Sequence, residues 1–219
     1  MQPIEKFLSR LLVWVPSCPR PLAVQSILDS AIDFCRETQV VQTTVGPMST
    51  VAGVNEYEIE LPAGTRVRRV MTAWYGTALL SLIPQDDLAT PLAFTQSVAD
   101  VQAPQGVPSA AYVLNGEPQK LVVYPVPDTA VQNAITLRVA LEPKPTATQL
   151  PDELFFDWVE AIVAGALVRV STVPDQSFTN PTLAADMHSR YRFFISRARN
   201  ETPIGRVRGD LRVAPKRFA

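Results

Sequence analysis

From Val24 onward, apolar residues recur at spacings of three and four: Val24, Ile27, Leu28, Ala31 and Cys35, with Ile32 beside them. Asp29, Asp33, Arg36 and Glu37 fall mainly on the other side. One apolar and one polar stripe at this period predict an amphipathic helix over residues 21–38. A shorter helix is predicted over residues 4–15, with Phe7, Leu8, Leu11 and Leu12 on one side. Between them lies Pro16-Ser17-Cys18-Pro19-Arg20-Pro21. No helix crosses that run, because proline locks φ and has no amide hydrogen to donate. From residue 40 to residue 145 the period becomes two. Tyr57-Glu58-Ile59-Glu60-Leu61 alternates apolar and acidic residues, as a half-buried strand does, and Pro62-Ala63-Gly64 turns the chain. Val67, Val70 and Met71 begin a further strand-like run that includes Trp74 and Tyr75, and Gly76 precedes Leu79-Leu80-Ser81-Leu82-Ile83. Residues 84–108 read as a long loop or a helical excursion. Tyr112-Val113-Leu114 and Leu121-Val122-Val123-Tyr124 flank Asn115-Gly116, a hairpin signal. Ile135 to Leu141 alternates cleanly, and Pro143 and Pro145 are expected to end that strand.

The last third returns to the helical period. Pro151, Asp152 and Glu153 open a helix, with the acids near its positive dipole end. The run from Leu154 to Val170 is apolar on most sides and predicts one central helix. Ala164-Gly165-Ala166 allows a neighbour to approach closely, and plain core packing is the expected reason. Pro174 stops the helix. Asn180-Pro181 pairs an N-cap residue with a first-turn proline. Leu183, Met187, Tyr191, Phe194 and Ala198 then form an amphipathic stripe that ends at Pro203 and Gly205. The expected fold is α+β: a helical bundle of the N- and C-terminal helices, an inserted β-rich block of sandwich- or barrel-like form, and an extended C-terminal tail. The expected divisions are residues 1–39 and 148–202 for the helical domain, 40–147 for the β-rich domain, and 203–219 for the tail.

Charge changes this picture more than composition does. The chain of 219 residues is 47% hydrophobic and 19% charged, and it carries 20 prolines against nine glycines. That is enough apolar material for a packed core, and the prolines favour strands and rigid connections over long helices. The formal net charge is only −1. Yet residues 1–189 hold 11 basic against 19 acidic residues, and residues 190–219 hold nine basic against two acidic ones. An acidic body with a basic end suggests an interaction tail. Its cations are nearly all arginine, the residue suited to bidentate contacts with carboxylate or phosphate. The plain alternative is a solvated charged terminus.

Catalytic chemistry finds little support. His188 is the only histidine and lies beside the late apolar stripe, where a surface or partly packed role is expected. Cys35 falls on an apolar helix face and Cys18 in a turn; a disulfide between them is left open by the sequence but has no support, and four-ligand zinc chemistry is close to excluded. Glu153, Asp157 and Glu160 share a helix face, for which dipole complementation and solvation are the expected reasons. There is no glycine-rich phosphate loop. Arg66, Arg68 and Arg69 make a small basic patch at a strand start. Tyr191, Phe193 and Phe194, interleaved with arginines, are expected to pack first. No catalytic residue, metal or cofactor is expected. Residues 4–15 are too short and too charged for a spanning helix or a signal peptide. Asn200-Glu201-Thr202 is taken as a chance glycosylation match.

Several segments resemble a known family. Residues 15–39, VPSCPRPLAVQSILDSAIDFCRETQ, resemble the opening of head-to-tail adaptor (connector) proteins of tailed bacteriophages, with Phe34-Cys35-Arg36-Glu37-Thr38 closing the helix. Tyr57 to Pro62 is similar to the family's next element. Leu121-Val122-Val123-Tyr124-Pro125-Val126-Pro127 is similar to its late strand. Leu150 to Leu154 with Glu160, Ile162, Gly165, Ala166 and Leu167 resembles the penultimate helix, and Asn180 to Arg199 the last. The order and spacing of these pieces across residues 15–200 carry the likeness. It implies a non-enzymatic virion protein of the neck, made in the host cytoplasm. Copies would form a homo-oligomeric ring, commonly of twelve, beneath the portal protein. That ring would extend the DNA channel, pass double-stranded DNA without sequence-specific contacts, and dock a tail tube or nozzle protein. No membrane is implied.

The portal or subunit contacts expected at the basic end are Arg206, Arg208, Arg212, Lys216, Arg217 and Phe218. A ring-contact helix face is expected at Arg190, Arg192, Arg197 and Arg199. The alternative reading is a sequence-independent nucleic-acid-binding module that uses the basic C-terminus. A third is a hydrolase built on the acids of residues 152–160.

Overall fold

Proline and helix periodicity set the first elements. In the computed structural model, which describes residues 1–83, 104–114, 116 and 119–204, β1 (Gln2–Pro3) leads into α1 (Glu5–Leu12) and then α2 (Arg20–Thr38). The helix α2 begins directly after Pro19 and ends at Gln39, which takes the left-handed conformation (φ 54°) usually left to glycine. Of the predicted stripe, Ile27, Leu28, Ala31, Ile32 and Cys35 are buried and Val24 is half-buried, and Ala23 and Phe34 join the buried face.

The chain then builds β2 (Gln42–Met48), β3 (Glu56–Glu58), β4 (Thr65–Tyr75), β5 (Ala78–Leu79), β6 (Ser81–Leu82), β7 (Ala110–Leu114), β8 (Lys120–Tyr124), β9 (Ile135–Pro143) and β10 (Gln149–Leu150). Two four-stranded sheets result, in the orders β2-β9-β4-β5 and β3-β8-β7-β6, and β1 pairs with β10. The predicted hairpin is present, with Ala110 opposite Tyr124 and Leu114 opposite Lys120. Its residue Asn115 and the stretch 84–103 lie outside the described residues. Strand β9 alternates over its first half, where Ile135, Leu137 and Val139 are buried and Arg138 is exposed, and from Val139 to Pro143 it is buried on both faces. Pro143 closes that strand from inside it, paired with Thr65. The strand expected over Tyr57–Leu61 is shorter, and only Glu56–Glu58 is laddered.

The barrel-like part of the expectation is corrected. The described strands make open sheets, because a barrel requires one continuous ladder with a shared shear, and the ladders here stay separate. The chain changes sheet at Leu80, whose N–H donates to Ala73 O at 2.8 Å, while Ser81 N–H donates to Ser109 O at 2.8 Å. The side chain of Gln119 bridges the two sheets. Val67 N–H donates to its Oε1 at 2.6 Å, and its Nε2 donates to Val67 O at 3.1 Å. Gly46 is required where β2 meets β9. Its φ is +99°, and a Cβ there would stand 2.6 Å from Ile135 O.

Helices close the molecule: α3 (Asp152–Phe156), α4 (Val159–Ser171) and α5 (Pro181–Ile204). The single helix expected from Leu154 to Val170 is thus two, broken at Asp157 and Trp158. Trp158 leaves helical geometry (φ −129°, ψ 17°), and its ring lies 5.4 Å from that of Phe34. Asn180 caps α5 as predicted, its Oδ1 accepting from Leu183 N–H at 3.0 Å. The fold is α+β. One continuous buried cluster runs from Phe7 and Phe34 through Leu137 and Leu121 to Ile162 and Ala198.

Candidate functional site

At the centre of the helical layer, α4 lies between α2 and α5. Gly165 makes this possible. A Cβ there would collide with Ser30 Oγ of α2 and stand 2.9 Å from the Tyr191 ring of α5. Ser30 Oγ donates to Ile162 O at 2.8 Å, and Tyr191 OH donates to Ser30 O at 3.5 Å. Burial pushes the Tyr191 hydroxyl up to about 12. It also raises the thiol of Cys35, aided by the charges of Glu142 and Glu153. Cys18 and Cys35 are both free and both buried.

The helix pair α4–α5 has a cleft on each side, each of about 610 Å³. They differ in chemistry rather than size. The first lies on the α1 side, between Val13 and Trp14 on one bank and Phe193 and Arg190 on the other, with Val163 and Leu167 as its floor. Val13 is 80% exposed, Trp14 51% and Phe193 64%. These values mark an uncovered apolar patch rather than scattered surface residues. Phe193 therefore departs from the expectation that all three late aromatics pack: Tyr191 is buried, Phe194 is half-buried, and Phe193 is exposed. Phe156, also exposed, lines a separate cleft with Val40, Trp158 and Arg197. Its ring stands edge-on to Phe155, and Phe155 in turn meets Phe7.

The second cleft lies on the α2 side and is ionic. Arg169 pairs with Asp33 and donates to Gly165 O at 3.0 Å. Arg199 pairs with the Glu37 carboxylate and donates to the Glu37 carbonyl at 2.9 Å. Arg36 reaches from this cleft to Glu142, a carboxylate only 3% exposed. Glu142 accepts from Arg36 Nε at 2.9 Å and from Arg66 Nε at 2.6 Å. That hydrogen bond is the leading cause holding the Arg36 guanidinium above its ordinary pKa. Three elements, α2, β4 and β9, meet at this one carboxylate. Of the predicted basic patch, Arg66 is committed to it, while Arg68 and Arg69 are exposed.

The four arginines expected on a ring-contact face are divided between these sides. At about 100° per residue, Arg190 and Arg197 fall on one flank of α5, and Arg192 and Arg199 on the other. Arg190 pairs with Asp186 at 3.2 Å beside the apolar groove. Arg197 pairs with Glu201 at 2.7 Å and lies 5.8 Å from the Trp158 ring. Arg192 and Arg199 line the ionic cleft with His188, which is exposed. Arg192 makes no ion pair among the described residues, and neither does Glu160 at the apolar groove. The residues expected at the basic end, Arg206, Arg208, Arg212, Lys216, Arg217 and Phe218, lie outside the described residues.

Sequence reasoning did not single out Val13 and Trp14. Their signal is faint, two apolar residues just beyond the end of α1. Phe193 had a clearer one, an aromatic residue off the 183–198 stripe. Among the described residues, no cluster of three or more histidine, cysteine or acidic side chains is placed to hold a metal ion, and no helix is long and apolar enough to cross a membrane.

A family model described as SU10 adaptor protein matches residues 6–214. The chain belongs to that family of adaptor proteins, in agreement with the resemblance to bacteriophage head-to-tail adaptors read from its sequence. No curated protein matches the chain.

Proposed function

We propose that this protein is a structural part of a tailed-bacteriophage neck, which joins many copies of itself into a ring, commonly of twelve, beneath the portal. The ring extends the DNA channel and presents a docking face to the tail tube or nozzle. It works by geometry, without catalysis or cofactor. In this reading the helices of residues 1–39 and 148–202 form the wall as a bundle, the strands of 40–147 form a projecting block, and residues 203–219 reach the portal.

The observation that carries the reading is the match over residues 6–214 to an adaptor family. The charge split adds to it. An arginine-rich end following α5 suits an acidic surface on a neighbour or on the portal, because complementary charge gives orientation and fast association. A predominantly acidic body is compatible with sliding DNA, since like charge disfavours sticking. Removing residues 203–219 should weaken binding to isolated portal rings at least tenfold. Unchanged binding of the truncated chain counts against the role given to that end. The same arginines also favour a second reading, a sequence-independent nucleic-acid-binding module. It requires duplex binding that falls steeply with salt, and absence of duplex binding at low salt removes it.

A further inference from the structure

Resting on the ring reading above, we infer that neighbouring copies meet through the two opposite sides of the α4–α5 pair. The aromatic groove edge of one copy, Trp14 and Phe193, enters the ionic cleft of the next. There Glu160 of the first copy pairs with Arg192 of the second.

Three observations lead here. First, the clefts are chemically different and back to back. On α5, the groove takes Met187, Arg190 and Phe193, and the cleft takes His188, Arg192 and Ile195. On α4, the groove takes Glu160, Val163 and Leu167, and the cleft takes Val168 and Arg169. Identical copies closing into a ring by head-to-tail contacts need two unlike patches on different sides of each subunit, whereas one self-complementary patch gives only a twofold dimer. Second, Trp14 and Phe193 are exposed although large and apolar, and covering them removes apolar area from water. The receiving cleft has an apolar floor, with Ile195 buried and Val168 half-buried beneath its charged rim. Third, the charges left over are complementary. The other arginines of the two clefts have partners within the chain: Arg190 with Asp186, Arg169 with Asp33, Arg199 with Glu37, Arg36 with Glu142, and Arg10 over the Phe155 ring. Glu160 on one side and Arg192 on the other are exposed, opposite in sign and without an ion pair among the described residues. A single contact satisfies both.

Cysteine pairing tests the direction of this contact, because both native cysteines are buried. Under mild oxidation, alone and with isolated portal rings, Glu160→Cys protein mixed with Arg192→Cys protein should give a disulfide-linked dimer. Neither variant alone should do so, and a chain carrying both substitutions should give a ladder of covalent oligomers. Charge reversal gives an independent readout. Glu160→Arg and Arg192→Glu should each raise the concentration needed for assembly about tenfold, and the two together should bring it back to within about threefold of the wild type. Two results overturn the assignment while leaving the ring standing: a covalent dimer from Glu160→Cys alone, or oligomers of wild-type size with neither cross-link nor charge rescue. Wild-type protein that stays monomeric both alone and on portal rings overturns the ring and this contact together.

Discussion

The two sides of the α4–α5 pair use one helix surface in opposite ways. On the α2 side, most charges are consumed internally: arginines from three helices are tied to acids of α2 and β9, and of the arginines lining the cleft Arg192 alone has no ion pair among the described residues. On the α1 side, Val13, Trp14 and Phe193 are exposed, with nothing over them among the described residues. The difference teaches where to expect fold stability and where to expect association. Ion pairs formed within one chain stiffen it, whereas uncovered aromatic residues lower free energy only when something else arrives.

The strongest way to break that contrast is to remove the support of the ionic side. Glu142→Ala removes the shared acceptor of two partly exposed guanidinium groups, which water can then solvate, and the lost charge-assisted hydrogen bonds should cost about 2–3 kcal/mol of unfolding free energy, read as a lowered denaturant midpoint. The apolar groove should then keep its shape, with Trp14 fluorescence unchanged below the transition. Next comes the cleft floor. Gly165→Ala gains helix propensity but forces a methyl group against Ser30 and the Tyr191 ring, for a net loss of about 2 kcal/mol. Wild-type stability from this variant would mean that α2 and α5 do not press on α4 at Gly165.

Tyr191 supplies a pH test of the same floor. Below pH 10 the phenol is neutral in both the folded and unfolded chain, so burial carries no charge penalty. Between about pH 10 and 12 the unfolded chain loses this proton and the folded chain keeps it. Stability therefore falls as pH rises, by about 1 kcal/mol at pH 11. Tyr191→Phe should make that part of the profile shallower in denaturant titrations, leaving the share that the buried Cys35 thiol contributes in the same direction. The smallest effects come from single side chains on the two surfaces. Arg199→Ala should cost under about 1 kcal/mol, and less at high salt. Trp14→Ala should change the stability of the isolated chain by a similar amount with no salt dependence, and should show its main effect in assembly.

Much of this architecture is legible in the chain before any coordinates. The spacing of Ile27, Ala31 and Cys35 gives α2, alternation from Ile135 to Leu141 gives β9, and Asn180-Pro181 gives the start of α5. The break between α3 and α4 is not legible, because neither glycine nor proline marks it. Trp158 leaves the helix through tertiary packing on Phe34, which no local pattern reports. The division of the late arginines is legible in their spacing alone. Residues seven apart, such as Arg190 and Arg197, share a flank, and Arg192 and Arg199 share the opposite one. The partners of those arginines lie far away in sequence, as Glu37 does from Arg199, and only the folded chain brings them into reach.

Glu142 has a mechanical consequence. Its one carboxylate is gripped by a guanidinium from the helical layer and another from the neighbouring strand. A tug on the sheets is therefore passed to α2 through a charged rivet rather than through a greasy contact that slides. Under tension the strands and helices should yield together, so that a force-extension trace shows them giving way in one step.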